Sequence, residues 1–187
     1  MKEILITGGA GYIGTSLIPE LLEKNYNVTV YDSLTYAGDI LIPFFKYPNF
    51  NFIKGDILET SKLKDVLKNK DVVIHLAALV GYAACEKNHN MTQLVNCDAT
   101  DNLVKMLTPN QLLLYGSTGS NYGKVTNGVC TEETPLNPTS LYAETKTYAE
   151  QKAMSHSNTI AYRFATAFGS SPRLRLDLLL NELTYLA

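Results

Sequence analysis

The 187-residue sequence is short of cysteine, histidine and long apolar runs, and each shortage argues against a class of protein. Cys85, Cys97 and Cys130 are odd in number and widely spaced, with no C-x-x-C pair, so we expect neither a disulfide framework nor a zinc site. The histidines are not at the spacing of metal ligands either, and we expect no bound metal. No apolar run is long enough to cross a bilayer.

An excess of charge of either sign is also missing. The chain has 16 Lys and Arg against 18 Asp and Glu, a formal net charge of −2 at pH 7. We therefore expect neither nucleic acid nor a membrane as a partner. The first residues, MKEILITGG, run directly into a strand and a glycine pattern, which leaves no room for a signal peptide and predicts a cytoplasmic protein. The length predicts one domain, residues 1–187, with a sizeable core.

Short apolar runs alternate with helical patterns along the whole chain. The runs predicted as strands are 2–7, 27–32, 49–56, 71–78, 111–117 and 158–164. Helices are predicted over 12–24, 60–69, 88–107, 139–155 and 174–187. This alternation indicates an α/β fold with a doubly wound parallel sheet and helices on both faces. Ligands of such folds bind at the carboxyl ends of the strands, so the candidate positions directly follow residues 7, 32, 56, 76, 116 and 164.

The first predicted strand is followed by the glycine-rich stretch TGGAGYIG. Gly9, Gly11 and Gly14 satisfy G-x-G-x-x-G, and Gly8, Gly11 and Gly14 satisfy G-x-x-G-x-x-G. Glycines permit a tight turn and the close approach of a pyrophosphate, and the following helix start offers N–H groups to phosphate. Because a strand precedes the stretch and a helix follows it, we predict a dinucleotide-binding loop.

Acidic residues end the second and third predicted strands. Asp32 lies eighteen residues after Gly14, where a carboxylate accepts hydrogen bonds from the adenosine ribose and repels a 2′-phosphate. No Arg or Lys lies between Asp32 and Lys46, so NAD is favoured over NADP. Asp56 is placed to meet the adenine edge, with Ile57 packing on the ring, although Gly-Asp is also ordinary turn chemistry.

The stretch SLYAETKTYAEQK contains two Tyr-x-x-x-Lys pairs, Tyr142 with Lys146 and Tyr148 with Lys152. A Tyr and a Lys four residues apart lie on one face of a helix, where the Lys can lower the pKa of the phenol. Tyr148 is rotated by about 240° from Tyr142, so the two cannot share a site. Tyr142 is the candidate, because the first turn of its helix lies beside the end of the fifth strand.

In their order along the chain, TGGAGYIG, YDSL, GDI, HLAA, STGSNYG and YAETK resemble the extended short-chain dehydrogenase/reductase family. Within it they resemble the NAD-dependent nucleotide-sugar epimerase/dehydratase branch. The resemblance runs from residue 2 to the end of the chain. It implies a Rossmann fold, bound NAD, a nucleotide-sugar substrate, and a homodimer formed through helices 88–107 and 139–155.

The resemblance also implies a catalytic Ser/Thr–Tyr–Lys group. Tyr142 would exchange a proton with a sugar hydroxyl, and Lys146 would hold the nicotinamide ribose and lower the pKa of Tyr142. Thr118, with Ser117 as the alternative, would bind the same sugar oxygen. With the residues argued above, the implied cofactor-binding set is Gly8, Gly11, Tyr12, Ile13, Gly14, Asp32, Ser33, Asp56, Ile57, Leu76, Ala77, Ala78, Asn96, Tyr142 and Lys146. Within that set, Asn96 matches a position that supports the site in relatives.

Two departures from the family pattern bear on the reaction. Sugar 4,6-dehydratases of the family carry an Asp-Glu pair directly after the catalytic Thr, whereas this chain has Gly119 and Ser120, which favours an epimerase or a 4-keto reductase. Relatives also continue into a C-terminal substrate lobe, of which residues 170–187 would be only the start. Two hypotheses therefore stay open: an NAD-dependent nucleotide-sugar epimerase, and an NAD-binding module without turnover, such as a regulatory or assembly subunit.

Two further features have alternative interpretations. Arg173 and Arg175 could bind a substrate diphosphate, or they could simply be solvated at a helix start. His75 has apolar neighbours, and we interpret it as a residue that ends its strand rather than as a catalytic group.

Overall fold

The computed structural model describes residues 1–36, 38–125 and 128–187. Six strands form one parallel sheet in the order β3-β2-β1-β4-β5-β6. They are β1 (Glu3–Thr7), β2 (Asn27–Asp32), β3 (Phe50–Lys54), β4 (Val72–His75), β5 (Leu112–Thr118) and β6 (Thr159–Phe164). The strand order reverses between β1 and β4, as in a Rossmann fold, and the predicted doubly wound parallel sheet is confirmed.

The helices are α1 (Tyr12–Glu23), α2 (Thr60–Leu67), α3 (Tyr82–Lys87), α4 (His89–Gln93), α5 (Ala99–Met106), α6 (Leu141–Met154) and α7 (Leu179–Leu186). Short 3₁₀ segments cover Asp39–Lys46 and Gly119–Tyr122. The helix predicted over 88–107 is interrupted, because a π-helical turn at Leu94–Asp98 separates α4 from α5. None of the described helices is long and apolar enough to cross a membrane.

The helix predicted over 174–187 is shorter than expected, since α7 begins only at Leu179. In the segment that precedes α7, side chains form hydrogen bonds with the backbone and hold it in a non-helical conformation. Asn181 donates from Nδ2 to the Arg175 carbonyl at 3.0 Å, and Ser171 Oγ accepts from the Arg173 N–H at 3.2 Å. These contacts compete with helical hydrogen bonds, which is why the apolar pattern alone overestimated the helix.

Two apolar cores lie on opposite faces of the sheet. Leu5 packs with residues of α2, α5 and α6, whereas its neighbours Ile4 and Ile6 pack with residues of α1, as the alternation of side chains along a strand requires. The packed helices do not cover both faces of β6. Its alternate residues Ile160 and Phe164 are 48% and 39% exposed, so one face of this outer strand is open, while the other strands have helices on both faces of the sheet as predicted.

Candidate active site

A cavity of about 1210 Å³ runs along the carboxyl ends of the six strands. It exceeds the volume of about 300–1,000 Å³ that drug-sized ligands occupy, which suits a dinucleotide and a second ligand together. The expected positions after residues 7, 32, 56, 76, 116 and 164 all line it. Of the residues expected to bind the cofactor or to act in catalysis, those in the lining are Gly8, Gly11, Tyr12, Ile13, Gly14, Asp32, Ser33, Asp56, Ile57, Leu76, Ala77, Ala78, Thr118, Tyr142 and Lys146.

The glycine loop has a shape that side chains would destroy. Gly8 has a φ of +71°, and a Cβ there would lie 2.6 Å from the backbone nitrogen of Ala77. A Cβ on Gly14 would lie 2.4 Å from the carbonyl oxygen of Gly9. Helix α1 begins directly after Gly11, and no side chain caps it. The loop therefore presents backbone to the cavity at a helix N-terminus, which fits the pyrophosphate of a dinucleotide.

Asp32 connects the end of β2 to the glycine loop. Its Oδ2 accepts from the Ala10 N–H at 3.0 Å, and its Oδ1 accepts from the Leu34 N–H at 2.8 Å. Both contacts hold the carboxylate in place at the cavity wall, where it can meet ribose hydroxyls. Next to it, the Ser33 and Thr35 hydroxyls are hydrogen-bonded to each other at 2.7 Å.

Asp56 and Ile57 occupy the next strand end along the sheet. Asp56 Oδ1 accepts from the Leu58 N–H at 2.9 Å, and its carbonyl accepts from the hydroxyl of Tyr31 at 2.8 Å. Ile57 belongs to the buried core and also lines the cavity. The carboxylate thus stabilises its own turn, as Gly-Asp sequences often do, while its neighbour offers an apolar surface to a planar ring.

Tyr142 lies in the first turn of α6, where Ser140 caps the helix by accepting from the Ala143 N–H at 3.2 Å. Burial raises the pKa of Tyr142 above its usual value, whereas hydrogen bonding to the Thr118 hydroxyl and the charge of Arg175 lower it. Thr118 is buried, and its Oγ1 accepts from the Ser120 N–H at 3.1 Å. The structure therefore brings the phenol and the Thr hydroxyl together at one end of the cavity.

Lys146 is fully buried one turn along α6 from Tyr142. Its Nζ donates to the carbonyl oxygen of Gly116 at 2.6 Å and lies 4.2 Å from the ring centroid of Tyr115. Burial lowers the pKa of Lys146 to about 7, and the carboxylate of Glu150 opposes that shift. The resemblance implied that Lys146 lowers the pKa of Tyr142. In this arrangement the Tyr142 pKa is raised instead, because the desolvation of the phenol is the largest effect on it.

The choice between Thr118 and Ser117 rests on their hydrogen-bond partners. Ser117 donates its hydroxyl hydrogen to Glu150 Oε2 at 2.5 Å and accepts from Asn121 Nδ2 at 3.0 Å, so it is bonded to two buried side chains. Thr118 is bonded to Ser120 in its own turn and, unlike Ser117, to Tyr142, which supports it as the hydroxyl that could bind a substrate oxygen.

The second Tyr-x-x-x-Lys pair lies elsewhere on α6. Tyr148 is 40% exposed, and Lys152 Nζ lies 5.4 Å from the centroid of its ring. Neither residue is part of the described cavity wall. The two pairs are thus on different sides of the helix, as their separation of six residues predicts.

Asn96, expected among the cofactor-binding residues as a side chain that supports the site, is placed behind the cavity wall. It lies in the π-helical turn, buried, with its side chain bonded to Leu79 and Thr145. Its Oδ1 accepts from the Leu79 N–H at 2.8 Å, and its Nδ2 donates to the Leu79 carbonyl at 3.0 Å and to Thr145 Oγ1 at 3.2 Å. It therefore binds the loop after β4 to α6 and supports the cavity without lining its described wall.

His75 is the last residue of β4 and is buried, in agreement with its interpretation as a strand end. Its Nδ1 is 2.6 Å from the Thr7 hydroxyl, and its Nε2 is 3.1 Å from the Thr100 hydroxyl. Burial, together with the nearby charge of Lys146, lowers the pKa of His75 to about 3. The ring is therefore neutral at physiological pH and serves as a link between β1, β4 and α5.

The segment after β6 forms one wall of the cavity, and the sequence indicated only some of its residues. Ser171 Oγ donates to the Tyr12 carbonyl at 2.8 Å, which holds the segment against the start of α1. Arg173 lies over the ring of Tyr36, with its Cζ 4.7 Å from the ring centroid, and Arg175 also lines the cavity. Arg173 and Arg175 were the residues of this segment that the sequence indicated as possible ligand contacts. The other unexpected lining residues, among them 79–81, Thr166, Ala167 and Leu178, are mostly small or apolar and show no local pattern.

The cavity has the glycine loop, the strand-end aspartate and the Thr–Tyr–Lys group of a dinucleotide-dependent enzyme. Residues 4–174 match the NAD dependent epimerase/dehydratase family. The chain belongs to this family. Family membership confirms the resemblance, and it connects the fold with a family whose members depend on NAD.

Three examples show the kinds of family member to which the chain is similar. The low-salt glycan biosynthesis protein Agl12 of Haloferax volcanii is 31% identical over 84% of this chain and 52% of its own length. A dTDP-glucose 4,6-dehydratase of Streptomyces niveus is 30% identical over 83% of this chain and 49% of its own length. The structure of UDP-glucuronic acid 4-epimerase from Bacillus cereus, in complex with UDP-glucuronic acid and NAD, is 28% identical with a TM-score of 0.86 over 97% of this chain and 61% of that chain. The chain thus spans about half the length of the curated relatives it matches.

Directly after Thr118 the chain has Gly119 and Ser120 instead of the Asp-Glu pair expected of a sugar 4,6-dehydratase. Gly119 and Ser120 line the cavity at this point, in the 3₁₀ turn that Thr118 caps. Thr118 Oγ1 also donates to Ser120 Oγ at 3.2 Å. A glycine and a hydroxyl supply neither the acid nor the base that removal of water from a sugar requires.

Proposed function

We propose that this chain carries the cofactor-binding and catalytic part of an NAD-dependent nucleotide-sugar epimerase or 4-keto reductase. One observation supports this most directly: Thr118, Tyr142 and Lys146 line the same cavity as the glycine loop and Asp32. The acid/base residue and the dinucleotide loop therefore face one shared space. A purely structural Rossmann domain has no need for that arrangement.

We propose that NAD lies along the cavity, whose wall carries the glycine loop and the strand-end carboxylates. We propose that the loop from Gly8 to Gly14 binds the pyrophosphate at the N-terminus of α1, and that Asp32 accepts hydrogen bonds from the adenosine ribose. Ser33 and Asp56 would lie at the adenosine end of the cofactor, and Ile57 would pack against the adenine ring. Leu76, Ala77 and Ala78 would line the middle of the cofactor. Asp32 disfavours NADP because its carboxylate repels a 2′-phosphate.

NAD in such a site accepts and returns hydride at the nicotinamide C4. For this chain we propose that Tyr142 moves the proton of a sugar hydroxyl, that Thr118 holds the same oxygen, and that Lys146 binds the nicotinamide ribose. The raised pKa of Tyr142 means that the phenol is neutral at physiological pH. A positive charge brought close to it would be needed for it to act as a base.

Dehydration is the less favoured reaction because of Gly119 and Ser120. The carboxylates on the described cavity wall are Asp32, Asp56 and Asp177. The first two lie at the ends of β2 and β3, and Asp177 is paired with Arg175 Nη2 at 2.5 Å. Arg173 and Arg175 also line the cavity, and we propose that they meet the diphosphate of the substrate.

Bound cofactor provides the first test. Protein purified without added nucleotide is denatured, and the supernatant is assayed for NAD(H). Epimerases recycle a tightly held cofactor, so an epimerase is expected to release close to one equivalent, whereas a reductase releases its cofactor at each turnover and would be purified largely empty. Calorimetric titration with NAD⁺ then measures affinity in either case. A chain that neither contains nor binds NAD(H) would overturn the proposal.

Turnover separates the enzyme from a binding module. The chain is incubated with UDP-glucose and a panel of related sugar nucleotides, and the products are resolved by chromatography. Conversion supports the epimerase. Because the chain spans about half the length of its relatives, NAD⁺ binding without any conversion would favour the alternative, an NAD-binding module that acts as a regulatory or assembly subunit.

A further inference from the structure

A buried carboxylate lies one helical turn beyond Lys146 on α6. Glu150 is 5% exposed, and both of its oxygens accept hydrogen bonds. Arg163 donates from Nη2 at 2.6 Å and from Nε at 3.0 Å, Ser117 donates at 2.5 Å, and Asn121 Nδ2 donates at 3.0 Å. Burial by itself raises the pKa of Glu150, but hydrogen bonds from Arg163 and Ser117 lower it below its usual value. The carboxylate is therefore ionised at neutral pH.

The donors to Glu150 lie on both sides of Thr118. Ser117 precedes it in β5, and Asn121 belongs to the 3₁₀ turn that the Thr118 side chain caps. Arg163 is the partner of Ser117 in the register between β5 and β6. Glu150 therefore joins α6 to the segment that holds the candidate substrate-binding hydroxyl.

One face of α6 carries Tyr142, Lys146 and Glu150, because residues four apart lie on successive turns of the same side. Lys146 donates to the Gly116 carbonyl and Glu150 accepts from the Ser117 hydroxyl. Helix α6 is thus bound to β5 at two consecutive residues. The distance of Tyr142 from the end of β5 depends on these two side chains.

The Glu150 carboxylate also supplies the negative charge that raises the pKa of Lys146 against the effect of burial. The other titratable groups around the ammonium are Tyr142 on the same face of α6, Cys97 in the π-helical turn, Tyr115 in β5 and His75 in β4, and all four are neutral at pH 7. Burial raises the pKa of the Cys97 thiol to about 11 and that of Tyr115 well above its usual value, and it lowers the pKa of His75 to about 3. The negative charge that offsets the burial of Lys146 therefore comes from Glu150.

We propose that Glu150 is a positioning residue for the chemistry proposed above: through Ser117 and Asn121 it fixes Thr118 opposite Tyr142, and it places a negative charge one helical turn from Lys146. It is not among the described residues that line the cavity, so it acts through these neighbours. A buried ion pair such as Glu150 with Arg163 contributes little net stability compared with apolar residues of similar size, because desolvation offsets the attraction. The effects of Glu150 on the position of Thr118 and on the charge of Lys146 are therefore more informative to measure than its effect on stability. The inference rests on the proposed function.

The test compares Glu150→Gln with Glu144→Gln. Glu144 is an exposed residue of the same helix, so its variant removes the same charge without the buried contacts. The ¹³Cε resonance of Lys146, assigned by its absence in Lys146→Met, is titrated by NMR. Glu150→Gln is expected to move the Lys146 titration to lower pH by about one unit, whereas Glu144→Gln leaves it unchanged. A merely structural role predicts the opposite sign, since loosened packing would hydrate Lys146 and move its titration upward.

A titration that is unchanged or moves upward in Glu150→Gln would overturn the inference. If that variant does not fold, as circular dichroism and thermal melting will show, Glu150→Gln with Arg163→Met removes both charges and is expected to move the Lys146 titration in the same direction by a smaller amount, because the loss of the Arg163 cation opposes that of the carboxylate. The titration requires no cofactor, whereas the proposed function is judged separately by NAD⁺ binding and turnover of the wild-type chain. With an active wild type, Glu150→Gln is expected to lower kcat about 10-fold or more with little change in KM, and an unchanged kcat would also contradict the positioning role.

Discussion

The hydroxyl of Tyr12 donates to the carbonyl oxygen of Gly169 at 2.6 Å and accepts from Asn181 Nδ2 at 3.1 Å. Tyr12 is the first residue of α1, and Gly169 and Asn181 lie before and after the cavity wall that carries Arg173. One phenol therefore connects the glycine loop with the segment that closes the cavity from the opposite side.

Tyr12→Phe is expected to weaken NAD⁺ binding about fivefold. The variant keeps the ring but loses the hydrogen bond to Gly169, and a lost hydrogen bond of this kind costs about 1 kcal/mol. Calorimetric titration measures the change, and Tyr47→Phe, which lies outside the described cavity wall, is the matched control. Equal affinities of both variants would show that the segment after β6 does not contribute to the cofactor site.

Tyr142→Phe is expected to reduce turnover about 100-fold or more, while Tyr148→Phe leaves it close to the wild-type rate. Removing a general acid/base costs at least this much, and only Tyr142 lies in the cavity next to Thr118. Steady-state kinetics on a sugar nucleotide that the wild type converts provide the comparison. Loss of activity in Tyr148→Phe alone would reverse the assignment of the two pairs.

The chain is expected to bind NAD⁺ at least about 10-fold more tightly than NADP⁺, because Asp32 repels a 2′-phosphate. Asp32→Asn retains the shape of the side chain and removes its charge, so the preference should shrink. Asp39→Asn, at an exposed position shortly after the β2 end, should keep the wild-type ratio. Competition binding at constant ionic strength measures both ratios, and a wild-type preference for NADP⁺ would contradict the assigned role of Asp32.

Stability is expected to fall as the pH falls from about 6.5 towards 3 because of His75. Its pKa is lowered to about 3 in the folded state by burial and by Lys146, so the unfolded chain binds a proton in this window that the folded chain does not. This difference makes the unfolded state more favourable as the pH decreases, by up to about 1.4 kcal/mol per pH unit. Above pH 6.5 the effect of His75 is absent.

Urea unfolding between pH 7 and pH 4 measures this dependence. His75→Gln cannot take up the proton, so its free energy of unfolding should change less with pH than that of the wild type. His89→Gln is the control, since His89 is exposed. Parallel pH dependences for His75→Gln and the wild type would show that His75 is not responsible.

We expect the chain to form a homodimer through α4, α5 and α6. Exposed apolar residues on these helices include Met91, Tyr148 and Met154, which are 39%, 40% and 52% exposed. Light scattering at micromolar concentration should then give about twice the chain mass of 20.7 kDa. Tyr148→Glu should shift the protein towards the monomer, whereas Val129→Glu, at an exposed position outside these helices, should not. A monomeric wild type would refute the expectation.

Several features of the fold and the site could be predicted because they depend on local patterns. The glycine loop needs residues without a Cβ between a strand and a helix, and Gly8 and Gly14 are positions where a Cβ would collide with backbone. Asp32 ends a strand whose apolar run is visible in the sequence. The interruption of the helix at Asn96 and the late start of α7 were not predicted. The Asn96 side chain bonds the backbone of Leu79 in the loop after β4, and the Arg175 carbonyl accepts from the Asn181 side chain instead of from a helical N–H.

The sequence by itself determined the alternation of strands and helices, the glycine loop and the Tyr142–Lys146 spacing, because each of these depends on residues within a few turns of one another. Only the tertiary structure decided that Ser117 is bound to Glu150 while Thr118 faces Tyr142, and that Asn96 supports the cavity from outside its wall. It also showed that burial raises the Tyr142 pKa. These features depend on which distant side chains meet in a water-poor interior, where hydrogen-bond partners and desolvation determine the behaviour of each polar group.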